Sequence, residues 1–590
     1  MHDLVIEGAL VVDGTGALPR VADVAVSAGL ITEVGRVSGA ARERLQAHGA
    51  WLMPGFVDLH THYDGQATWD ETFSPSIHHG VTTLLMGNCG VGFAPLRPGP
   101  KDSAVADLIS LMEGVEDIPG VALAEGVRFD WQTFPQYMDA LERLPHSLDF
   151  LVQVPHDPLR MAVMGDRALA QQAATAQDMA AMRALLREAL LAGAAGFSTG
   201  RTDNHRTSHG LETPASEASM AELTALAGAF EGLHHGVLQV VSDFDLLRGP
   251  GHFDAEFDLL EAMARASGRP LSMTWLQRDP GGEQWKAIRA RVERGVQQRL
   301  SLWLQAATRG IGVILGLDAS FHPFIGFPGY KEIAALPLPA RAAAMREPAR
   351  KALILSQRSE RLSGEGTPIP PLVDLLLARI EQIAARMFAL DENPAYEQPL
   401  AASFAARARQ RGVSALEVLY DHLAEGVGDR LIYFPIFNYN NGTLDAVRDM
   451  LLHPRALVGL GDAGAHVGTI CDASMSTFLL THWVRERGEA GLALERAVHL
   501  LTARNAHHLG LSDRGVIAPG MRADLNLIDP SRLAVGVPRI VRDLPAGGRR
   551  FLQRGEGYVG TWVAGRCVQR GGEVTPERPG RLVRSRPAIG

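Results

Sequence analysis

The sequence predicts a (β/α)8 barrel of the TIM type joined to a small β-sandwich domain built from both chain ends. Three observations lead there. Eight short apolar runs alternate with helical stretches between Phe56 and Leu460. β-rich segments punctuated by Gly turns stand at both ends of the chain. The 590 residues, 46% hydrophobic and 21% charged, suffice for a barrel and a companion domain. The composite β domain is expected over residues 1–53 and 510–575, and the barrel over 54–509. A helical insertion is expected at about 331–428.

In order, Leu4 to Ile6, Ala9 to Val12, Val21 to Val26 and Leu30 to Val34 read as short strands, with turns at Asp13-Gly14-Thr15-Gly16 and Ala28-Gly29. Phe56 to Leu59 and Val81 to Met86 open the barrel, and Leu148 to Val154 is its third strand. Thr175-Ala176-Gln177-Asp178 starts a helix, since a Thr and an acidic residue three apart can cap each other's backbone N–H groups. Gly193 ends that helix, and Ala194 to Phe197 is strand four. Ser219-x-x-Glu222 opens the helix before strand five, Val237 to Val241. Helices over Phe253 to Ala266 and Glu283 to Gln298 precede strands at Leu271 to Trp275 and Leu302 to Leu304. The last helix, Leu444 to Leu452, is broken by Pro454 before Leu457 to Leu460. The Ala-, Leu- and Arg-rich stretch with Pro-Leu-Pro and Pro-Ile-Pro-Pro breaks falls outside this repeat and reads as a lid or an extended barrel wall.

A net charge of −9 repels nucleic acid and offers no polybasic face to a membrane. Three cysteines form no disulfide framework and fit a reducing compartment. The first residues lack a secretory signal, so cytoplasmic localisation is expected, with a homo-oligomer compatible.

His60-Thr61-His62 follows the first barrel strand. Side chains alternate along extended chain, so two histidines at this spacing share a side and can share a divalent ion. Chance supplies about 0.75 such pairs in a chain with 21 histidines, so the strand-end context carries the inference. Asp462 ends the last strand, next to the first in a closed barrel, where a carboxylate can bind a metal and take a proton from water.

These features resemble the amidohydrolase superfamily of metal-dependent hydrolases, and within it the D-aminoacylase (N-acyl-D-amino-acid deacylase) group. The resemblance rests on Pro54 to Asp64, Gly80-Val81-Thr82-Thr83 and Gly87-Asn88-Cys89-Gly90. It continues through Leu159-Arg160-x-x-Val163-Met164-Gly165, Gly193 to Gly200 and Gly515 to Leu525, including Arg522-Ala523-Asp524-Leu525. It implies His60, His62 and Cys89 as metal ligands, and Asp462 as ligand and general base. The sequence departs from the group on strands five and six. There the segments read Leu238-Gln239-Val240-Val241-Ser242-Asp243 and Leu271-Ser272-Met273-Thr274-Trp275-Leu276-Gln277, without the usual histidines. One Zn²⁺ rather than two is therefore expected, other divalent ions being compatible, with Gln239, Asp243 or His466 available to supplement the set.

An N-acyl amino acid carries a carboxylate, which Arg pairs with in a fork. Arg201, Arg206 and Arg309 follow strands four and seven, and Tyr439 lies in an Asn-rich turn before the last helix. All four are candidates to touch substrate; the alternative for each Arg is an ordinary loop salt bridge, and for Tyr439 a simple turn rich in Asn and Gly. The expected function is hydrolysis of a small-molecule amide outside a peptide bond by metal-activated water, with an N-acyl-D-amino acid as substrate. The alternatives are a cyclic amide, imide or lactone hydrolase, and a ligand-binding barrel without turnover.

Overall fold

The computed structural model describes residues 1–244, 248–278, 282–364, 369, 371–390 and 392–585. Eight parallel strands form its centre: Phe56–Asp58, Val81–Met86, Asp149–Pro155, Gly196–Arg201, Val237–Ser242, Leu271–Thr274, Leu302–Ala306 and Ala456–Val458. They lie side by side in chain order, one to eight. Strands two to four are buried along nearly their whole length, as both faces of a helix-wrapped parallel sheet require. The helix Ala176–Ala192 shows the expected reciprocal cap between Thr175 and Asp178, and Gly193 leaves it at φ 106°.

Closure between strands eight and one depends on a few groups. Thr61 bridges Ala463 at the mouth, where the His62 N–H donates to the Ala463 carbonyl at 2.8 Å. Lower down, the buried side-chain amide of Asn505 donates to both Val57 O and Val458 O, each at 2.8 Å. One side chain thus spans the seam. Asn505→Ala should destabilise the protein by about 2 kcal/mol, because two buried carbonyls lose their donor. Urea denaturation checks this, and an unchanged midpoint would remove Asn505 from the closure.

A nine-stranded sheet takes its strands from residues 2–54 and 525–574. Within it Trp51–Pro54 pairs antiparallel with Leu525–Ile528, so the two ends of the chain meet immediately before strand one. Below the barrel a buried ion network fastens this region to strand three. Arg514 reaches Asp149 at 2.7 Å and the Thr83 hydroxyl at 2.9 Å. Arg522 bonds both Asp149 and Asp524, each at 3.1 Å.

The insertion differs from expectation. It starts before residue 331, and a three-stranded antiparallel sheet of Ile311–Leu315, Phe388–Leu390 and Leu431–Phe437 runs through it. Helices pack on that sheet around a separate apolar core including Phe324, Tyr330, Phe404 and Tyr420. The central strand Leu431–Phe437 pairs with Ile311–Leu315 across more than a hundred residues, which makes this unit a small layered module rather than a helical extension. Residues 365–368, 370 and 391 of the expected insertion, including part of the Pro-Ile-Pro-Pro break, lie outside the described residues.

Among the described residues no helix is long and apolar enough to cross a membrane.

Candidate metal centre

His60 and His62 sit just past the end of strand one, with Thr61 between them turned to the Leu85 carbonyl. Cys89 follows strand two in the Gly87-Asn88-Cys89-Gly90 turn, which Asn88 fixes by donating to Thr61 O and Leu85 O. The turn lies tight against the end of strand four. A Cβ on Gly200 would come 2.3 Å from Cys89 O, and one on Gly90 would come 2.6 Å from Gly200 N. Both glycines are there for close backbone approach.

Three donor atoms, from His60, His62 and Cys89, lie within 4.8 Å of one another, with Asp462 beside the two imidazoles. Cys89 Sγ lies 3.1 Å from His60 Nε2 and 3.7 Å from His62 Nε2. Asp462 Oδ1 lies 3.3 Å and 3.8 Å from the same two nitrogens. A tetrahedral ion with bonds of 2.0–2.3 Å separates its ligands by about 3.3–3.7 Å, so the His60, His62 and Cys89 donors fit three positions around one divalent cation of zinc size. Thiolate, imidazole and carboxylate are also the donor types that zinc takes.

The three donors are buried, and the Asp462 carboxylate beside them is partly exposed. The side chains of His60 and His62 are 1% exposed, Cys89 is 6% exposed, and the side chain of Asp462 is 15% exposed. Cys89, Leu460, Asp462 and His466 all have positive φ, between 43° and 61°. Side chains other than Gly and Asn or Asp adopt that region at a cost, and such strain gathers where geometry is imposed by function.

The imidazoles are held from behind. His60 Nδ1 meets Gln305 Oε1 at 2.8 Å, and Gln305 Nε2 donates to Ser272 Oγ at 3.0 Å. An Nδ1–H donated to that oxygen leaves the Nε2 lone pair for a metal. His62 Nδ1 faces Glu116 Oε1 at 3.0 Å. Burial favours a neutral His60, but the Cys89 sulfur and the Asp462 carboxylate outweigh it and raise its pKa to about 9. Neighbours that draw a proton this strongly also draw a metal cation. Burial likewise opposes charge on Glu116, yet His62, followed by His466 and His205, holds its pKa down at about 2.

A family model described as the amidohydrolase family matches residues 45–569. The chain belongs to the amidohydrolase family. It is a hydrolase of C–N bonds other than peptide bonds. This amidohydrolase is 28% identical over 597 residues to an N-acyl-D-aspartate deacylase of Alcaligenes xylosoxydans xylosoxydans, covering 100% of this chain and 96% of the relative. A structure of D-aminoacylase superposes with a TM-score of 0.64 at 24% identity, over 99% of this chain and 100% of that one. That structure concerns a binuclear metal centre with one-metal activation and second-metal attenuation. The N-acyl-D-glutamate deacylase of Bordetella bronchiseptica, complexed with zinc and a phosphonate inhibitor, superposes with a TM-score of 0.63 at 24% identity, again over 99% and 100%. These two likenesses establish the fold.

In the amidohydrolase the four residues expected to touch substrate each contact other protein groups. Arg201 forks onto Glu256 at 2.7 and 2.9 Å, pinning the end of strand four to a helix. Arg309 is fully buried, stacked 3.6 Å over Tyr396 and paired with Asp472 at 3.0 Å. Arg206 bonds Gly210 O within its own loop and lies 3.6 Å from Glu212. The Tyr439 hydroxyl donates to Gln398 O, away from the mouth. These contacts engage part of each side chain, while among the described residues Arg206 Nε and Arg309 Nε and Nη1 have no hydrogen-bond partner. Of the supplementary ligands, Gln239 accepts from the Cys89 N–H at 3.0 Å and so orients the turn. His466 faces Glu116 at 3.9 Å. Asp243 accepts from the Asp203 N–H at 3.1 Å.

Three residues that the sequence did not single out bear on the site: Glu116 and Gln305, which back the two imidazoles, and Arg278. Arg278 follows strand six at the mouth end, buried, with Nη2 donating to Ser242 O at 2.8 Å. Among the described residues its Nη1 has no hydrogen-bond partner. Burial lowers its pKa to about 10, which still leaves it charged at neutral pH. Its signal was a lone Arg just after an apolar strand, indistinguishable by spacing from a loop salt bridge.

Proposed function

We propose that this amidohydrolase removes the acyl group from N-acyl-D-amino acids, with one divalent ion held by His60, His62 and Cys89. The observation that carries this reading is the asymmetry of the donor set. Three buried donors gather together, and the partly exposed carboxylate of Asp462 lies beside both imidazoles. A fully closed set of four buried ligands would suit a structural zinc instead. Full-length similarity to an N-acyl-D-aspartate deacylase supports the substrate class.

A divalent ion bound there supplies Lewis acidity toward the amide carbonyl and toward water. Asp462 takes the proton from the attacking water as its oxygen joins the carbonyl carbon. The same carboxyl returns that proton to the amide nitrogen as the C–N bond breaks, releasing a carboxylic acid and a free amino acid. Arg278 presents its unshared N–H groups to the substrate carboxylate, as a buried guanidinium with an open Nη1 suits.

The test is metal analysis of the purified protein followed by assay after loading with Zn²⁺, Mn²⁺ or Co²⁺. The panel holds N-acyl-D-amino acids, their L-enantiomers, the corresponding α-carboxamides and cyclic amides. We expect about one ion per chain, turnover of the D-series, and kcat/KM at least about tenfold lower for the carboxamides, which lack the charged partner of Arg278. Turnover confined to cyclic amides would overturn the reading. So would a protein that takes up no divalent ion.

A further inference from the structure

Glu116 is the last residue of the helix Lys101–Glu116, and it is 1% exposed. A carboxylate at the C-terminal end of a helix meets the negative pole of the backbone dipoles. Burial adds a second penalty, and among the described residues neither carboxylate oxygen has an aligned hydrogen-bond donor. A residue doubly disfavoured in this way needs a cationic counterpart. Its nearest contact is His62 Nδ1 at 3.0 Å, on the ring face opposite the Nε2 that joins the donor cluster, and His466 Nε2 follows at 3.9 Å.

The helix end is held there from outside. Asp117, at φ 53°, accepts the Gly468 N–H at 3.2 Å and the Ser320 hydroxyl at 3.0 Å. These contacts fasten it to the loop after strand eight and to the insertion. On the other side, a Cβ on Gly114 would come 2.2 Å from Arg206 O, so the helix rests directly on the backbone of the strand-four loop. Its final turn is thus clamped between two mouth loops, with Glu116 directed at His62.

We propose that Glu116 is a positioning residue for the metal. Its carboxylate, 3.0 Å from His62 Nδ1, favours the proton on that nitrogen, so that Nε2 is presented to the ion, and it links that ligand to the strand-eight loop that carries Asp462 and His466. In this chain it provides the outer support on the His62 side that Gln305 provides for His60. The proposal rests on His62 being a ligand, and its test separates the two ideas.

Full-length Glu116→Gln, Glu116→Asp and His62→Ala proteins are compared with wild type. Zn²⁺ affinity is measured by competition with a chromophoric chelator, the Co²⁺ visible absorption is recorded, and the melting temperature of the metal-free protein is determined. Glu116→Gln should weaken Zn²⁺ binding about 10–100-fold and alter the Co²⁺ bands, with no fall in metal-free melting temperature. Glu116→Asp, which keeps the charge at shorter reach, should fall between Gln and wild type. A merely structural Glu116 would do the reverse, lowering the metal-free melting temperature and leaving the Co²⁺ spectrum unmoved, and that result overturns the proposal. If Glu116→Gln does not fold, wild-type affinity and spectrum in Glu116→Asp overturn it equally. Wild-type Zn²⁺ affinity in His62→Ala would remove His62 as a ligand, and the reading beneath the proposal with it.

Discussion

Asp462→Asn is expected to lower kcat by about 10²–10⁴-fold, the range for loss of a proton-transferring side chain. The amide keeps the size of the carboxylate but cannot take a proton from water. The fold should survive for a specific reason: Asp462 sits at φ 43°, and Asn tolerates that left-handed region as well as Asp does. An alanine there would confuse backbone strain with lost chemistry. Metal content should stay close to wild type, because His60, His62 and Cys89 remain within 4.8 Å of one another. Steady-state kinetics with metal analysis on one preparation tests both points. A variant with wild-type kcat would take proton transfer away from Asp462.

Arg514→Met should destabilise the protein by about 3–5 kcal/mol, the cost of breaking a buried ion pair from one side. The side chains of Arg514, Asp149 and Asp524 are 1%, 0% and 2% exposed. Without Arg514, two buried carboxylates are left to share Arg522 alone. The loss is read as a lower denaturant midpoint. Adding Asp149→Leu should recover part of it, since removing both partners leaves less unpaired charge than removing one. A single variant within about 1 kcal/mol of wild type would mean the network carries little stability.

Much of this architecture is legible in the sequence because its signals are local. Each of the eight strands is a short apolar run flanked by turns, and the caps at Thr175, Gly193 and Ser219 need only neighbours three or four residues away. The donor cluster is legible in part, since His60 and His62 share one segment and the motifs around Cys89 and Asp462 fall at strand ends. What escaped reading is set by distant partners. Ile311–Leu315 and Leu431–Phe437 become strands only by finding each other. Arg201 and Arg309 look like free cations until Glu256 and Asp472 are folded against them. Glu116 carries one faint cue, an acid at the wrong end of a helix, and its meaning depends on a histidine more than fifty residues earlier.

The pairing of Trp51–Pro54 with Leu525–Ile528 bears on biosynthesis. The chain leaves the ribosome with its opening strands ready, but that sheet edge has no neighbour until Leu525–Ile528 has been made. Strand one follows directly from this edge, so the histidines that begin the metal cluster hang from the element completed last. An open, apolar edge held through most of translation invites pairing with other nascent chains. Joining the two ends of this sheet in a circular permutant would let it form early.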